Sequence, residues 1–397
     1  MKIVYLVQNK FTGRDYFRYG IEELITHSKM EVEIWDISKI LYPNALFDYQ
    51  DHNIMIDKRC QIRSFGSYND LSLFTKKTDI LYCISSIIFD FKSFKVFKIL
   101  SDNNILYGGT GQGMINIVPE HNSYLINTNS IFKKLFNVTI RRLLSLFKKL
   151  LFLLLIKSYK INFYKVFFLS GGVKAEVDNI LVSKKTKKIR LHSNNFDLHL
   201  KQSKKFKKMF DYDYDIYLDQ NVTNSSDSIL RNNKLNIPSN KYYKELNVFL
   251  KKLERVSKRK IIVAAHPKAN IKELKSYMSN YEVITQSDSS NLIFHSTNVI
   301  VGYSMAMGFG VLYNKDLILI TNNDINKYKK PALNAISNYL NINYINISKK
   351  YNLKTDLIFN KSKYSNYIND YITRDRDNKI FFSIKMFDFF KNYTNKF

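Results

Sequence analysis

At 397 residues the chain is too long for one ordinary hydrophobic core, and a hydrophobic content of 45% places it among globular rather than disordered proteins. Two cysteines, Cys60 and Cys83, exclude a disulfide framework and a metal-binding spacing, so a reducing compartment is expected, with both thiols in the core. The 62 Lys and Arg against 34 Asp and Glu leave a net charge of +28, which requires an anionic partner such as nucleic acid, lipid or substrate; part of it is a chain-wide bias toward Lys, Asn, Ile and Tyr, so clusters inform more than the total.

The opening stretch MKIVYLVQNKFTG has no charged leader, long apolar segment or small-residue cleavage site, and reads as a first strand of a cytoplasmic protein. Strands over 3–7, 31–37, 79–85 and 104–109 alternate with helices near 20–28 and 91–100, the pattern of a parallel sheet covered on both faces. Residues 130–160 then run without Gly or Pro as one long helix, in which the pairs Lys133/Lys134, Arg141/Arg142 and Lys148/Lys149 recur among Leu135, Val138, Leu143, Leu146, Leu150 and Leu154. Basic residues opposite leucines suit a helix lying in a membrane interface; the same composition also suits a solvated face over an ordinary core helix. Its uninterrupted apolar run, Leu150 to Ile156, is too short to span a bilayer.

Strands resume at 164–172 and 187–193. The charged stretch 201–215 reads as a crossing, and a second alternation follows: strands at 215–220, 260–265, 281–285, 298–303 and 316–321, with helices near 240–256, 288–294 and 304–313. The expected architecture is α/β, two Rossmann-like, doubly wound parallel-sheet domains facing a central cleft. Residues 1–200 form the acceptor domain, 201–361 the nucleotide domain, and 362–397 a helical tail packed across the first. No repeat of 20 to 50 residues is evident.

In open α/β sheets ligands bind beyond the carboxyl ends of the strands. The run IIVAAHPKAN stops there on His266, Pro267 and Lys268; proline cannot continue a central strand, so the chain turns and leaves the imidazole at the cleft. The stretch NVIVGYSMAMGFGVLYNKDLILI reads as a strand, a tight turn at Gly302, and Ser304 opening a helix. Ser304 suits an ordinary N-cap, and a helix N-terminus also favours phosphate. His266 and Ser304 are therefore candidates to hold one phosphate between them. Asp219 ends the strand YDIYLDQ and is a candidate base for an attacking hydroxyl, or a loop aspartate capping a turn. Gly111, in YGGTGQG, and Asp197 are weaker candidates on the acceptor side; a plain turn at 107–113 and structural roles for Asp197 and His192 are the alternatives. The Asp-x-Asp spacing of DYDYD, 211–215, reads as a solvated loop, so no metal ligand is assigned.

The segments RLHSNNFDLHL, YDIYLDQNV, IIVAAHPKAN and VIVGYSMAMGFGVLYNKDLILI, in this order over 187–322, resemble bacterial glycosyltransferases of the GT-B fold with a His-Pro motif and a serine motif, including transferases of CMP-activated nonulosonic acids. The resemblance implies donor-phosphate contacts for His266 and Ser304 and an acceptor-activating role for Asp219. The chain lacks the paired-acid-glycine motif of many sialyltransferases and carries Tyr303 where a second hydroxyl residue can stand.

The expected function is transfer of a sialic acid-like sugar from a CMP donor, without a metal cofactor, to a capsule, lipooligosaccharide or O-antigen glycan. Its partners would be the nucleotide-sugar, a glycan or lipid-linked glycan, and the inner membrane surface through helix 130–160, with no nucleic acid. The alternatives are a transferase using CDP-glycerol, a UDP- or GDP-hexose or CMP-Kdo, and a non-catalytic basic protein.

Overall fold

Apolar runs buried on both faces become parallel strands. In the structure, a computed structural model, residues 2–28, 31–44, 56–78, 82–111, 131–175, 179–202, 206–223, 237–285, 289–375 and 379–394 are described. Seven strands, β1 (Lys2–Val7), β2 (Glu31–Asp36), β3 (Cys60–Ser64), β4 (Tyr82–Ser85), β5 (Tyr107–Thr110), β6 (Val166–Ser170) and β7 (Lys187–Leu191), form one sheet in the order β3-β2-β1-β4-β5-β6-β7. Six more, β8 (Tyr214–Leu218), β9 (Lys260–Ala264), β10 (Glu282–Ile284), β11 (Asn298–Val301), β12 (Asp316–Thr321) and β13 (Tyr344–Asn346), form a second in the order β10-β9-β8-β11-β12-β13. Every pairing in both ladders is parallel. The doubly wound α/β class expected from the alternation is therefore the observed one, and each sheet has an apolar cluster on either face.

Both sheets extend beyond the strands legible from apolar runs. β3 is an edge strand whose side chains after Cys60 are exposed, and it is held by its ladder to β2 and by Arg63 donating to Glu33 at 2.9 Å. β13 is a three-residue edge of the second sheet. The helix Asn323–Leu340 contains Pro331, a residue that argues against a helix interior; the Asn322 side chain starts it by accepting the Ile325 N–H.

YGGTGQG is not a plain turn at its start. Gly108 and Gly109 lie inside β5, where a Cβ would sit 2.4 Å from the Val166 carbonyl oxygen and 2.6 Å from the Phe167 ring. These glycines make room for bulky neighbours on β4 and β6. Gly111 closes the strand by donating its N–H to the Phe168 carbonyl at 2.9 Å, and the residues from 112 to 130 lie outside those described.

After β13 the chain returns to the first sheet. Ser193 N–H donates to the Ile372 carbonyl at 2.7 Å, and Val173 N–H donates to that of Asn369 at 3.0 Å. The helix Phe382–Thr394 then inserts Phe382, Met386 and Phe390 into the cluster containing Ile3, Tyr5 and Phe168. At the crossing, a Cβ on Gly172 would lie 1.9 Å from the Asn369 carbonyl oxygen and 2.4 Å from the Asp370 carbonyl carbon. Since both obstacles are backbone, Gly172→Ala must displace the returning segment, and we expect a loss of about 2–4 kcal/mol, read as a lowered midpoint of thermal unfolding. Gly66→Ala, whose nearest contact would be Asp70 Oδ2 at 3.7 Å, is expected to leave the midpoint unchanged.

Candidate functional site at the carboxyl edge of the second sheet

The order of the second sheet reverses at β8: the chain goes outward to β9 and β10, then crosses to β11 on the other side. Loops diverge at such a switch point and leave a crevice at the strand ends. Leu218 pairs with Ala264 and Tyr217 with Ile300, so the register carries Asp219, Ala265 and Gly302 to one level just past the ladder. The ends that hold Asp219, His266 and Ser304 are thus the ends of three neighbouring strands. With β8 between them, β9 and β11 lie about 10 Å apart, two strand spacings.

His266 is half-buried and Pro267 exposed. The backbone N–H of Lys268 donates to His266 Nδ1 at 3.1 Å, and that of Ala269 to the His266 carbonyl at 2.8 Å. With Nδ1 accepting, the neutral ring carries its proton on Nε2. That tautomer presents an N–H donor, which suits a hydrogen bond to an anion.

Asp219 directly follows β8 at this edge. It is buried, and its two carboxylate oxygens accept backbone N–H groups, Asn221 on Oδ1 and His266 on Oδ2, each at 3.2 Å. Asn221, in the left-handed region at φ 48°, extends the tie by donating its side-chain N–H to the Lys268 carbonyl at 3.1 Å. The carboxylate and the amide together hold the His266–Lys268 turn against the end of β8. Burial raises the Asp219 pKa to about 6, opposed by the hydrogen bonds from the backbone of Asn221, His266 and Gln220.

Ser304 is not the N-cap expected for a helix over 304–313. The helix runs Met307–Leu312, and Ser304 Oγ accepts the Ala306 N–H at 3.2 Å within the turn that precedes it. Glycines at 308 and 310 weaken that helix but allow close packing: a Cβ on Gly308 would lie 2.5 Å from Asn195 Nδ2. A Cβ on Gly302 would lie 2.6 Å from Gln220 Oε1 and 3.1 Å from the Ile320 carbonyl oxygen.

Several residues that apolar patterning did not single out meet this edge. Asn195 donates to the Met305 carbonyl at 2.7 Å, and Arg18, from the helix Gly13–Arg18 after β1, reaches Met305 Sδ at 3.8 Å. A thioether is a weak acceptor for a guanidinium. The first domain therefore points a cation at the Ser304 turn. Lys329 adds a second, its ammonium 5.1 Å from the Tyr303 ring centroid. Gln220 Nε2 and both polar side-chain atoms of Asn194 are buried without a hydrogen-bond partner among the described residues. The available signal was their place immediately after β8 and β7.

Asp197 is not brought to this edge. Both its oxygens accept the Phe382 N–H at 3.2 Å, and burial raises its pKa well above the ordinary carboxylate value. His192 is buried beside it, donating through Nε2 to the Ile380 carbonyl at 2.7 Å, and burial lowers its pKa. Both residues fasten the returning tail. The aspartates of DYDYD do not converge either: Asp211 and Asp213 are exposed, while Asp215 is buried in β8 and accepts from Arg259 at 2.8 Å. No group of three His, Cys, Asp or Glu among the described residues is arranged to hold a metal ion.

No protein-family model matches the chain, and no curated protein matches it. Solved structures share its fold. A variant of the wall teichoic acid polymerase TagF aligns with a TM-score of 0.53 at 12% identity, covering 100% of this chain and 89% of that one. The same variant soaked with CDPG aligns at 0.51 and 13%, with equal coverage. MurG from Acinetobacter baumannii aligns at 0.50 and 7%, covering 99% and 100%. The chain thus has the two-sheet GT-B architecture of these proteins.

The raised Asp219 pKa has a definite sign. Its folded value, about 6, exceeds the ordinary 3.8, so the stabilisation linked to its proton is full below pH about 4 and is lost as pH rises through 6. Relative to Asp219→Asn, the unfolding free energy of the wild type is expected to fall by roughly 2 kcal/mol between pH 4 and pH 7. Denaturant titrations of both proteins across that range provide the check.

Proposed function

We propose that the chain is a glycosyltransferase-type enzyme that takes an activated group from a nucleotide donor at the carboxyl edge of the second sheet. The observation that carries this reading is the His266 ring, committed through Nδ1 to the Lys268 amide, at the switch-point edge it shares with Ser304. A departing nucleotide phosphate gains negative charge as its bond to the transferred group breaks. His266 Nε2–H meets that charge as a hydrogen-bond donor; Lys268 adds a nearby cation, and Gly302 and Ser304 bring the other side of the crevice to the phosphate. Asp219 and Asn221 act as positioning residues through the turn they hold. The acceptor lies toward the first domain, and the charge is neutralised by these side chains without a metal.

For the donor, the reading is a CMP-activated nonulosonic acid, transferred to a surface glycan at the inner face of the membrane. The directed Arg18 guanidinium supports it, because such a sugar carries a carboxylate in addition to the donor phosphate. A second reading, glycerol phosphate transfer from CDP-glycerol, is favoured by the whole-chain likeness to TagF. Thermal stabilisation by CMP, CDP, UDP and GDP tests the nucleotide, since a ligand of the native state raises apparent stability by mass action. A shift with cytidine nucleotides alone is expected; a shift with uridine or guanosine nucleotides alone overturns both donors. Product analysis with CMP-nonulosonic acid and CDP-glycerol then separates the two.

His266→Ala is expected to fold normally and to lose turnover by about 10²–10³-fold, the range for a lost hydrogen-bond donor to developing negative charge. Asp219→Asn should lower kcat by only about tenfold, as suits a displaced turn; a loss of 10³-fold or more with an altered pH profile would restore it as the base. Turnover that survives chelation with EDTA is the expected result for a charge met by side chains.

A further inference from the structure

The helix Ile131–Ser158 is 28 residues long, about 42 Å. Among its described side chains, Phe152 and Ile156 are buried against the first sheet's core, the Phe152 ring 5.6 Å from that of Phe89. On the opposite face, Leu143, Leu146, Phe147, Leu150 and Leu154 are all exposed, Leu146 at 63% and Phe147 at 66%. Their spacing of three, four, seven and eleven residues from Leu143 makes a continuous apolar stripe. At the end of the helix lies a groove of about 400 Å³ lined by Leu153, Ile156, Ile161 and Phe163 and rimmed by Lys157 and Lys160. Between 130 and 160 the sequence has eight Lys and Arg and no Asp or Glu. No helix among the described residues is long and apolar enough to cross a membrane.

We infer that this face is a docking surface for an anionic phospholipid bilayer. The stripe enters the acyl boundary, the lysines stay at headgroup level, and a lipid phosphate sits between Lys157 and Lys160 with its chain along the groove. A contiguous exposed apolar face marks an interaction site. The charge identifies what covers it: a segment with eight Lys and Arg and no Asp or Glu of its own attracts anionic headgroups, whereas a second copy of the same helix would bring like charges together. Nucleic acid would leave the leucines and phenylalanine uncovered. The inference deepens the membrane-side part of the reading above, but vesicle binding needs no turnover, so the two fail separately.

The test is sedimentation of the full chain with vesicles of phosphatidylcholine, with and without phosphatidylglycerol, alongside Leu150→Trp as a reporter. Trp35 is the only native tryptophan and is buried in the first domain's core, so it should not respond. Binding only to the anionic vesicles is expected, with a blue shift in the emission of the indole that Leu150→Trp introduces. Leu146→Glu combined with Phe147→Glu, both at exposed positions, should weaken binding about tenfold or more, and Lys157→Glu with Lys160→Glu should abolish the preference for phosphatidylglycerol. Equal binding to both vesicles, or no emission shift, overturns the inference. So does a lipid-free dimer that Leu146→Glu dissociates, which would assign the face to a second copy.

Discussion

All strands of the second sheet run one way, so their carboxyl ends share one edge, where backbone groups have run out of ladder partners. Buried polar groups must find partners elsewhere. At the centre of this edge a single carboxylate does that for two strands at once: Asp219 accepts the N–H of Asn221 in its own turn and that of His266 in the neighbouring one. Without this tie, the proline after His266 would end the strand, but the turn that carries the imidazole would lose its anchor to β8. The positions of His266 and Lys268 relative to Gly302 and Ser304 follow from it.

A comparable economy links the two sheets. The chain leaves the first through the helix Asn194–Gln202 and comes back at 369–375 and 379–382, and the return is secured by backbone hydrogen bonds at Val173 and Ser193 and by the Asp197 carboxylate on the Phe382 N–H. Gly172 has no side chain because the returning backbone occupies that space. Asn195 and Arg18 meet the Met305 turn from the first domain, so the edge of the second sheet is completed by residues that belong to the first.

The surface of the first domain is built on another principle. Only Phe152 and Ile156, among the described side chains of the Ile131–Ser158 helix, are buried, although leucine and phenylalanine recur along its length. A helix apolar on two faces has more apolar area than one sheet can cover, and its lysines exclude burial of the second face inside the protein. The geometry leaves that face outward.

The parallel class, most central strands and the place of Asp219, His266 and Ser304 past the β8, β9 and β11 ends were legible in the amino-acid sequence, because a strand buried on both faces must be apolar throughout and punctuation such as His266-Pro267 falls where it stops. Edge strands β3 and β13 and the Asn323–Leu340 helix were not legible, since neighbours rather than their own apolar pattern hold them in place. Which way each polar side chain turns was beyond the sequence altogether. Asp219 and Asp197 both follow or adjoin strand ends, yet one holds the His266 turn and the other fastens the tail. Arg18 reaches a turn 287 residues away. Local pattern records how a segment is buried; hydrogen bonds between distant segments depend on register and chain return, and only the folded chain decides them.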